Sequence, residues 1–382
     1  MLNLNSFEHL KNWIVDSGIQ INDSSNPNFG GVYSFYDEKR QNYGFIYPEI
    51  TGYYISCMRF LHNSFNDQKF IKKAESAALW LIKLENDYGG IIQGIKTQKN
   101  NERLVYSFDT GICVKGFLDC YDLTKKNQFL NISKKLLNWI MDEALENDGI
   151  IKPLKNLKTG KFEVDQNLWY KQNGCLHIKT SMPFFHMYNI TKEPIFLEKA
   201  ELICNTFTKF QKDNGSLSLH LGGDLSHLHS ICYALEGLLY AYYFTKNDAY
   251  ITVCYRVIDW CLKKIQNDNS IELWFNSKYQ HSKTSYAVAQ LIRLVILTDK
   301  ISNSDKNKNN VQKLNQFLRT LQADSSNFQM NGGYYEEFFK SILGWKKRLR
   351  VNSWGSMFAL QALFWSENYD SINFDDSVQY LF

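Results

Sequence analysis

Hydrophobic and polar positions along the chain sort into two kinds of helical segment that alternate. One kind is apolar nearly all round, over 51–65, 110–123, 180–188, 230–244, 284–297 and 353–365. The other is amphipathic, over 7–15, 69–84, 129–145, 196–210, 250–265 and 311–321. In the first of these, Phe7, Leu10, Trp13 and Ile14 fall at helical spacing. In the second, Ile71, Ala74, Ala77, Ala78, Leu81 and Ile82 oppose a lysine-rich face. Glycine- and asparagine-rich turns at 26–32, 86–91, 147–150, 213–216, 267–270 and 331–334 punctuate the series. A helix apolar on all sides must be buried on all sides, whereas an amphipathic one covers it with a single face. The pairs recur every 50 to 65 residues or roughly so, longer than common solenoid repeats. The opening amphipathic segment lacks an apolar partner before it, and the closing apolar segment lacks an amphipathic one after it. Each completes the other if the chain closes on itself. The expected fold is therefore all-α, a single (α/α)6 barrel of six helical hairpins forming one toroid domain over 1–382.

Each apolar segment is preceded by polar residues and a small hydroxyl residue. The stretches are Tyr47-Pro-Glu49-Ile-Thr51, Tyr106-Ser-Phe-Asp109-Thr110, His177-Ile-Lys179-Thr180, His227-Leu-His229-Ser230, His281-Ser-Lys283-Thr284 and Arg350-Val-Asn352-Ser353. Ser or Thr there is a natural N-cap, which would hold the preceding polar side chain beside the positive end of a helix dipole. Six such starts predict a ring of helix N-termini at one mouth, and function is expected there. The two breaks in the rhythm, 152–172 and 302–310, read as a loop over that mouth and a low-complexity surface loop.

Composition narrows the partners. A net charge of +4, from 43 basic and 39 acidic residues, is too balanced for a nucleic-acid binder. No run is long and apolar enough to span a membrane, and the first residues lack the basic-then-apolar layout of a signal peptide. Eight scattered cysteines without a C-x-x-C pattern predict buried free thiols in a reduced compartment, and hence a cytoplasmic chain.

Gly30-Gly31-Val32, Tyr47-Pro-Glu49-Ile-Thr51-Gly52-Tyr53, Phe108-Asp109-Thr110-Gly111 with Gly116-Phe117-Leu118, and Val351-Asn352-Ser353-Trp354 with Phe358 to Leu363 carry a resemblance. They are similar to α/α-barrel proteins of bacterial and archaeal surface-polysaccharide gene clusters, the VpsJ type of polysaccharide biosynthesis protein. That group is also labelled prenyltransferase/squalene-cyclase-like or six-hairpin glycosidase-like for its toroid. The resemblance covers both ends of the chain and the second hairpin. It implies a role in making or trimming extracellular glycans, although α/α toroids host several chemistries.

The mouth carries the candidate chemistry. Glu49 and Asp109 come from adjacent hairpins and suit glycoside hydrolysis as an acid and a base or nucleophile. His177, His229 and His281 occupy equivalent starts and suit proton abstraction near neutral pH. Tyr47, Tyr106, Trp345 and Trp354 offer rings to a sugar. Lys179, His227, Lys283, Arg350 and Asn352 offer polar contacts, the cations favouring an acidic oligosaccharide or lipid-linked glycan. The bland alternative for each acid is an interaction with its own helix start, and for each histidine, capping or polar packing. No metal site or cofactor is expected: His227-x-His229 lacks a third ligand, and no phosphate loop, serine elbow or D-x-D-D cyclase motif occurs. The expected function is a carbohydrate-active enzyme, hydrolase-like. A uronate lyase or sugar epimerase, and a non-catalytic glycan-binding or assembly subunit of polysaccharide synthesis machinery, stand as alternatives.

Overall fold

A computed structural model describes residues 4–84, 89–92, 104–278 and 280–382. Residues 86–88 of the turn read at 86–91 lie outside them. The helices in chain order are α1 (Leu4–Asp16), α2 (Pro48–Phe65), α3 (Gln68–Ile82), α4 (Ser107–Thr124), α5 (Asn127–Trp139), α6 (Ser181–Thr191) and α7 (Pro194–Asn205). They continue with α8 (Phe207–Phe210), α9 (Leu228–Thr245), α10 (Asp248–Leu262), α11 (Ser285–Ile301), α12 (Lys308–Arg319), α13 (Ser353–Glu367) and α14 (Phe374–Val378). They gather into two compact units: one of residues 1–19, 35–44 and 209–379, the other of 20–34, 45–208 and 380–382.

In the unit built around 45–208, α2, α4 and α6 are the buried helices and α3, α5 and α7 cover them. Every residue of α4 from Ser107 to Cys120 is buried. Its neighbour α3 buries one face only, through Phe70, Ala74, Ala77, Ala78, Trp80 and Leu81. In the unit built around 209–379, α9, α11 and α13 are buried, with α10, α12 and α1 against them. Phe7 of α1 packs on Phe364 of α13, ring centroids 5.6 Å apart. The two unpaired segments of the sequence pattern thus meet.

Two local devices repeat. Four of the buried helices, α2, α4, α6 and α9, end at a left-handed residue, Asn66, Lys125, Lys192 and Lys246, from which the covering helix starts almost at once. Before three of these, Thr124, Thr191 and Thr245 turn their hydroxyls back onto the carbonyls of Cys120, Met187 and Ala241. At the other end, Thr51 Oγ1 donates to the Tyr47 carbonyl (2.9 Å) and accepts from the Val32 amide (3.1 Å). Thr110 does the same between Tyr106 and Ile91, and Ser356 between Asn352 and Tyr334. Such a hydroxyl ties a helix start to the glycine turn before it. Gly30 is required in that turn: its φ is +94°, and a Cβ would lie 2.1 Å from the Ser76 carbonyl oxygen.

These bonds revise the expected caps. Thr51 and Thr110 sit inside the first turn, because α2 and α4 begin earlier, after Tyr47 and Tyr106, neither of which makes a side-chain cap bond. Thr284 does cap α11, accepting from the Ala287 amide. The structure also contains strands that the helical reading omits. Leu104–Tyr106, Ser226–His227, Ser282–Thr284 and Arg350–Asn352 each lead into a buried helix and pair antiparallel with a neighbouring segment. At two or three residues they are too short for an alternating pattern to register in sequence. The loop at 152–172 holds strands Leu154–Asn156 and Lys161–Glu163, and that at 302–310 ends in the first turn of α12.

Candidate functional site

In the unit around 45–208, the starts of α2 and α4 bring together two carboxyl groups. Glu49 and Asp109 both lie in first turns, where free amides and the helix dipole favour negative charge. The Tyr47 hydroxyl hydrogen-bonds to both. Tyr53, one turn further along α2, also bonds Glu49, and Lys179 stands near enough to act on its charge. The Lys179 ammonium in turn lies 4.8 Å from the Tyr53 ring centroid and is almost wholly buried. Part of the Glu49 side chain reaches solvent, but its carboxyl is surrounded by protein. Burial pushes it up to about 7, against the pull of Tyr47, Lys179 and Tyr53. Asp109 is raised well above its ordinary value, first by burial and then by the charge of Glu49. Its Oδ2 is buried without a hydrogen-bond partner. Two carboxyl groups so close share protons, one retaining its proton while the other ionises.

The other predicted residues of this unit surround the pair less directly. Tyr106, the residue before α4, packs on Tyr170 at 6.2 Å. His177 lies in a 3-10 helix, Cys175–Thr180. Its Nε2 donates to the Gln172 carbonyl (3.1 Å), its ring meets Phe108 edge-on, and burial pushes it down to about 4, which makes it a neutral imidazole.

The unit around 209–379 holds the remaining candidates in four different arrangements. His227 caps α9: its Nδ1 accepts from the Ser230 amide and pairs with the Ser230 hydroxyl (2.9 Å), and burial pushes it down to about 3. His229, in the first turn of α9, bonds through Nδ1 to Gln290 Oε1, with the Tyr233 and Tyr286 ring centroids at 4.1 and 4.6 Å. His281 is partly exposed, with Nδ1 2.9 Å from Glu272. Asn352 caps α13 by accepting from the Gly355 amide (2.7 Å), and its Nδ2 is buried without a partner. The predicted cations are largely engaged. Lys283 bonds Asp268 at 2.6 Å and lies over the half-exposed Trp345, and Arg350 lies over Phe35 with Asp37 at 3.8 Å. Trp354 packs on Tyr286, 5.7 Å between centroids.

Sequence reading missed two groups here. Glu336 is pushed up to about 7 by burial and by Glu337, and both act on Tyr286, the ring beside His229. Behind His229, Gln290, Glu236, Arg293 and Gln361 form a wholly buried polar chain. The signal was present: each is a polar residue inside an otherwise apolar helix, and such a residue must find a partner.

Among the described residues, Asp119, Asp122 and His186 come close enough together to hold a cation. Arg59 already meets Asp119 and Asp122 at 3.0 and 2.9 Å, and Lys115 meets Asp119 at 2.7 Å. Two carboxylates facing two cations form an ion network that has no charge left for a divalent ion.

No helix is long and apolar enough to cross a membrane among the described residues. No protein-family model matches the chain, and no curated protein matches it. Solved structures do. Cellobiose 2-epimerase from Bacillus thermoamylovorans is similar at 14% identity, over 97% of this chain and 100% of its own, with a TM-score of 0.74. A D-mannose isomerase is similar at 11% identity over 97% and 98%, TM-score 0.76. An unsaturated glucuronyl hydrolase specific for heparin is similar at 10% identity over 97% and 98%, TM-score 0.69. Likeness at such identities speaks for the fold alone, and the fold is the all-α, six-hairpin α/α barrel.

Proposed function

We propose that the chain is a carbohydrate-processing enzyme that hydrolyses a glycosidic bond by acid–base chemistry at Glu49 and Asp109. One observation carries the reading: two first-turn carboxyl groups share the Tyr47 hydroxyl, and both hold their protons more tightly than a free carboxyl. Near neutral pH such a pair holds one proton between its members. Asp109, the more deeply buried, is the acid that protonates the departing glycosidic oxygen. Glu49, the residue less buried as a whole, takes a proton from the attacking water. Lys179 beside them favours a substrate with an acidic sugar, which supports the acidic oligosaccharide or lipid-linked glycan expected from sequence. The sugar-acting names of the similar structures support the same class. The resemblance to surface-polysaccharide proteins favours a substrate from that biosynthesis, and eight free buried thiols agree with a cytoplasmic setting.

A second reading rests on His229, whose Nδ1 is engaged by Gln290. An imidazole held in this way suits proton abstraction from a sugar carbon, as an epimerase or lyase requires. Incubation with acidic and neutral oligosaccharides separates the readings. Hydrolysis yields a new reducing end and is slowed by orders of magnitude in Asp109→Asn. A lyase yields an ultraviolet-absorbing unsaturated uronate, and an epimerase washes solvent deuterium into the sugar. Wild-type protein that binds glycans but gives neither product nor exchange is a binding or assembly subunit of the polysaccharide machinery, and the enzymatic proposal then falls.

A further inference from the structure

Hydrogen-bond polarity along the buried chain behind His229 runs in one direction. Arg293 carries donors only. Its Nη2 meets Glu236 Oε1, and its Nη1 donates to Gln361 Oε1 at 2.7 Å. The guanidinium carbon also lies 4.6 Å from the Phe358 ring centroid, so its position is fixed from several sides. Glu236 Oε1 therefore accepts. The same oxygen receives the Gln290 amide at 3.0 Å. A carboxylate oxygen bonds only to the NH2 side of an amide, since the flipped amide would oppose two lone pairs. Gln290 Nε2 must face Glu236, and Gln290 Oε1 must face His229. That oxygen has no hydrogen to give, so the bond to His229 Nδ1 needs a proton on Nδ1. In a neutral ring the lone pair is then on Nε2.

All four partners, Glu236, Gln290, Arg293 and Gln361, are completely buried, out of reach of bulk water. They come from α9, α11 and α13, three separate buried helices. None of this is needed for packing: apolar residues of similar volume would fill the same space without desolvating a charge pair. The arrangement instead transmits one piece of information, which imidazole nitrogen carries the hydrogen.

We propose that Glu236, Gln290 and Arg293 are positioning residues that hold His229 as the Nδ1–H tautomer, the form in which Nε2 is the basic nitrogen of the ring. The use of that nitrogen rests on the proton-abstraction reading above, whereas the tautomer stands on the hydrogen-bond chain alone. In water a free histidine favours hydrogen on Nε2, so the chain imposes the rarer form.

The experiment is long-range 15N–1H correlation NMR on the full chain with labelled histidine, His229 being assigned by its absence in His229→Gln. The expected result is an Nδ1–H pattern for His229 in the wild type. In Gln290→Met, similar in volume and without an acceptor oxygen, His229 should revert to Nε2–H. With a sugar substrate, Gln290→Met should lower kcat at least tenfold with KM little changed. An Nε2–H pattern in the wild type, or an unaltered pattern in Gln290→Met, overturns the proposal. If Gln290→Met does not fold, Arg293→Lys is the second variant: it keeps the charge, so Nδ1–H must persist for the proposal to survive. A wild-type Nδ1–H pattern without deuterium exchange into any sugar leaves the positioning chain standing and removes proton abstraction as its use.

Discussion

The carboxyl pair at the starts of α2 and α4 and the imidazole at the start of α9 are both polar groups taken out of water, but they are compensated in opposite ways. Glu49 and Asp109 meet another acid, a shared tyrosine hydroxyl and one lysine. Much of their desolvation is left uncompensated, and it appears as a raised proton affinity. His229 is backed by a run of donors and acceptors in which each bond fixes the next, ending in a fully buried ion pair. The first arrangement keeps a proton mobile; the second fixes where a proton sits. Burial alone does not mark an active group. What distinguishes the two is whether the neighbours match its hydrogen-bonding capacity.

The largest effect should come from breaking the fixed arrangement. Arg293→Met leaves the buried Glu236 without its countercharge and is expected to cost about 3–5 kcal/mol of stability, read by urea unfolding. Adding Glu236→Leu should restore most of it. A single-variant cost below about 1 kcal/mol would show that the chain is slack and erase the contrast.

At the mobile pair, Asp109→Asn is expected to lower turnover by about 10²–10⁴ while ligand affinity and fold persist. Asn keeps the shape and cannot exchange a proton. Because burial and the charge of Glu49 both favour the protonated form of Asp109, a neutral side chain there should change stability by no more than about 1 kcal/mol.

Glu49→Gln probes the same pair through pH. Native Glu49 keeps its proton up to about 7, whereas the unfolded chain releases it from 4.5 upward. The native state binds more protons in that window, so this group makes stability fall as pH rises from 4.5 to about 7. The Gln variant should lose that component and be more stable at pH 7.5, on the order of 1 kcal/mol given the partial exposure. His177 works in the opposite sense. Held down to about 4, it costs stability as pH falls below 6.5, and His177→Gln should reduce acid sensitivity. Thermal unfolding across pH 4–8 reads both.

The smallest effect is expected at His281, whose pairing with Glu272 is open to solvent. His281→Gln should cost less than about 1 kcal/mol. A tenfold loss of turnover there would instead place His281 in the chemistry.

Much of this was legible in the chain. Apolar segments gave the buried helices because a helix buried on every side has no polar face to keep, and Glu49, Asp109 and His229 could be singled out because they stand at the starts of such segments. The differing roles of the four histidines could not be read. His177, His227, His229 and His281 look equivalent in sequence, but their partners Gln172, Ser230, Gln290 and Glu272 come from different distances along the chain. Glu236, Gln290 and Arg293 were visible as polar residues in apolar runs, although the pairing among them is set by how α9 and α11 cross. The short strands before the buried helices were invisible, since they depend on partners rather than on an alternating pattern.

The contact between Phe7 and Phe364 bears on the order in which the molecule is assembled. One unit draws most of its residues from the continuous stretch 45–208, so nearly all of it has been synthesised while the rest of the chain is still on the ribosome. The other cannot seat α1 until α13 has emerged, at almost the greatest sequence separation the chain allows. Closing so large a loop is entropically costly and slow. The apolar face of α1, with Phe7, Leu10, Trp13 and Ile14, therefore stays uncovered longest during synthesis. A nascent chain in that interval is the form most in need of a chaperone, and the form from which aggregation would start.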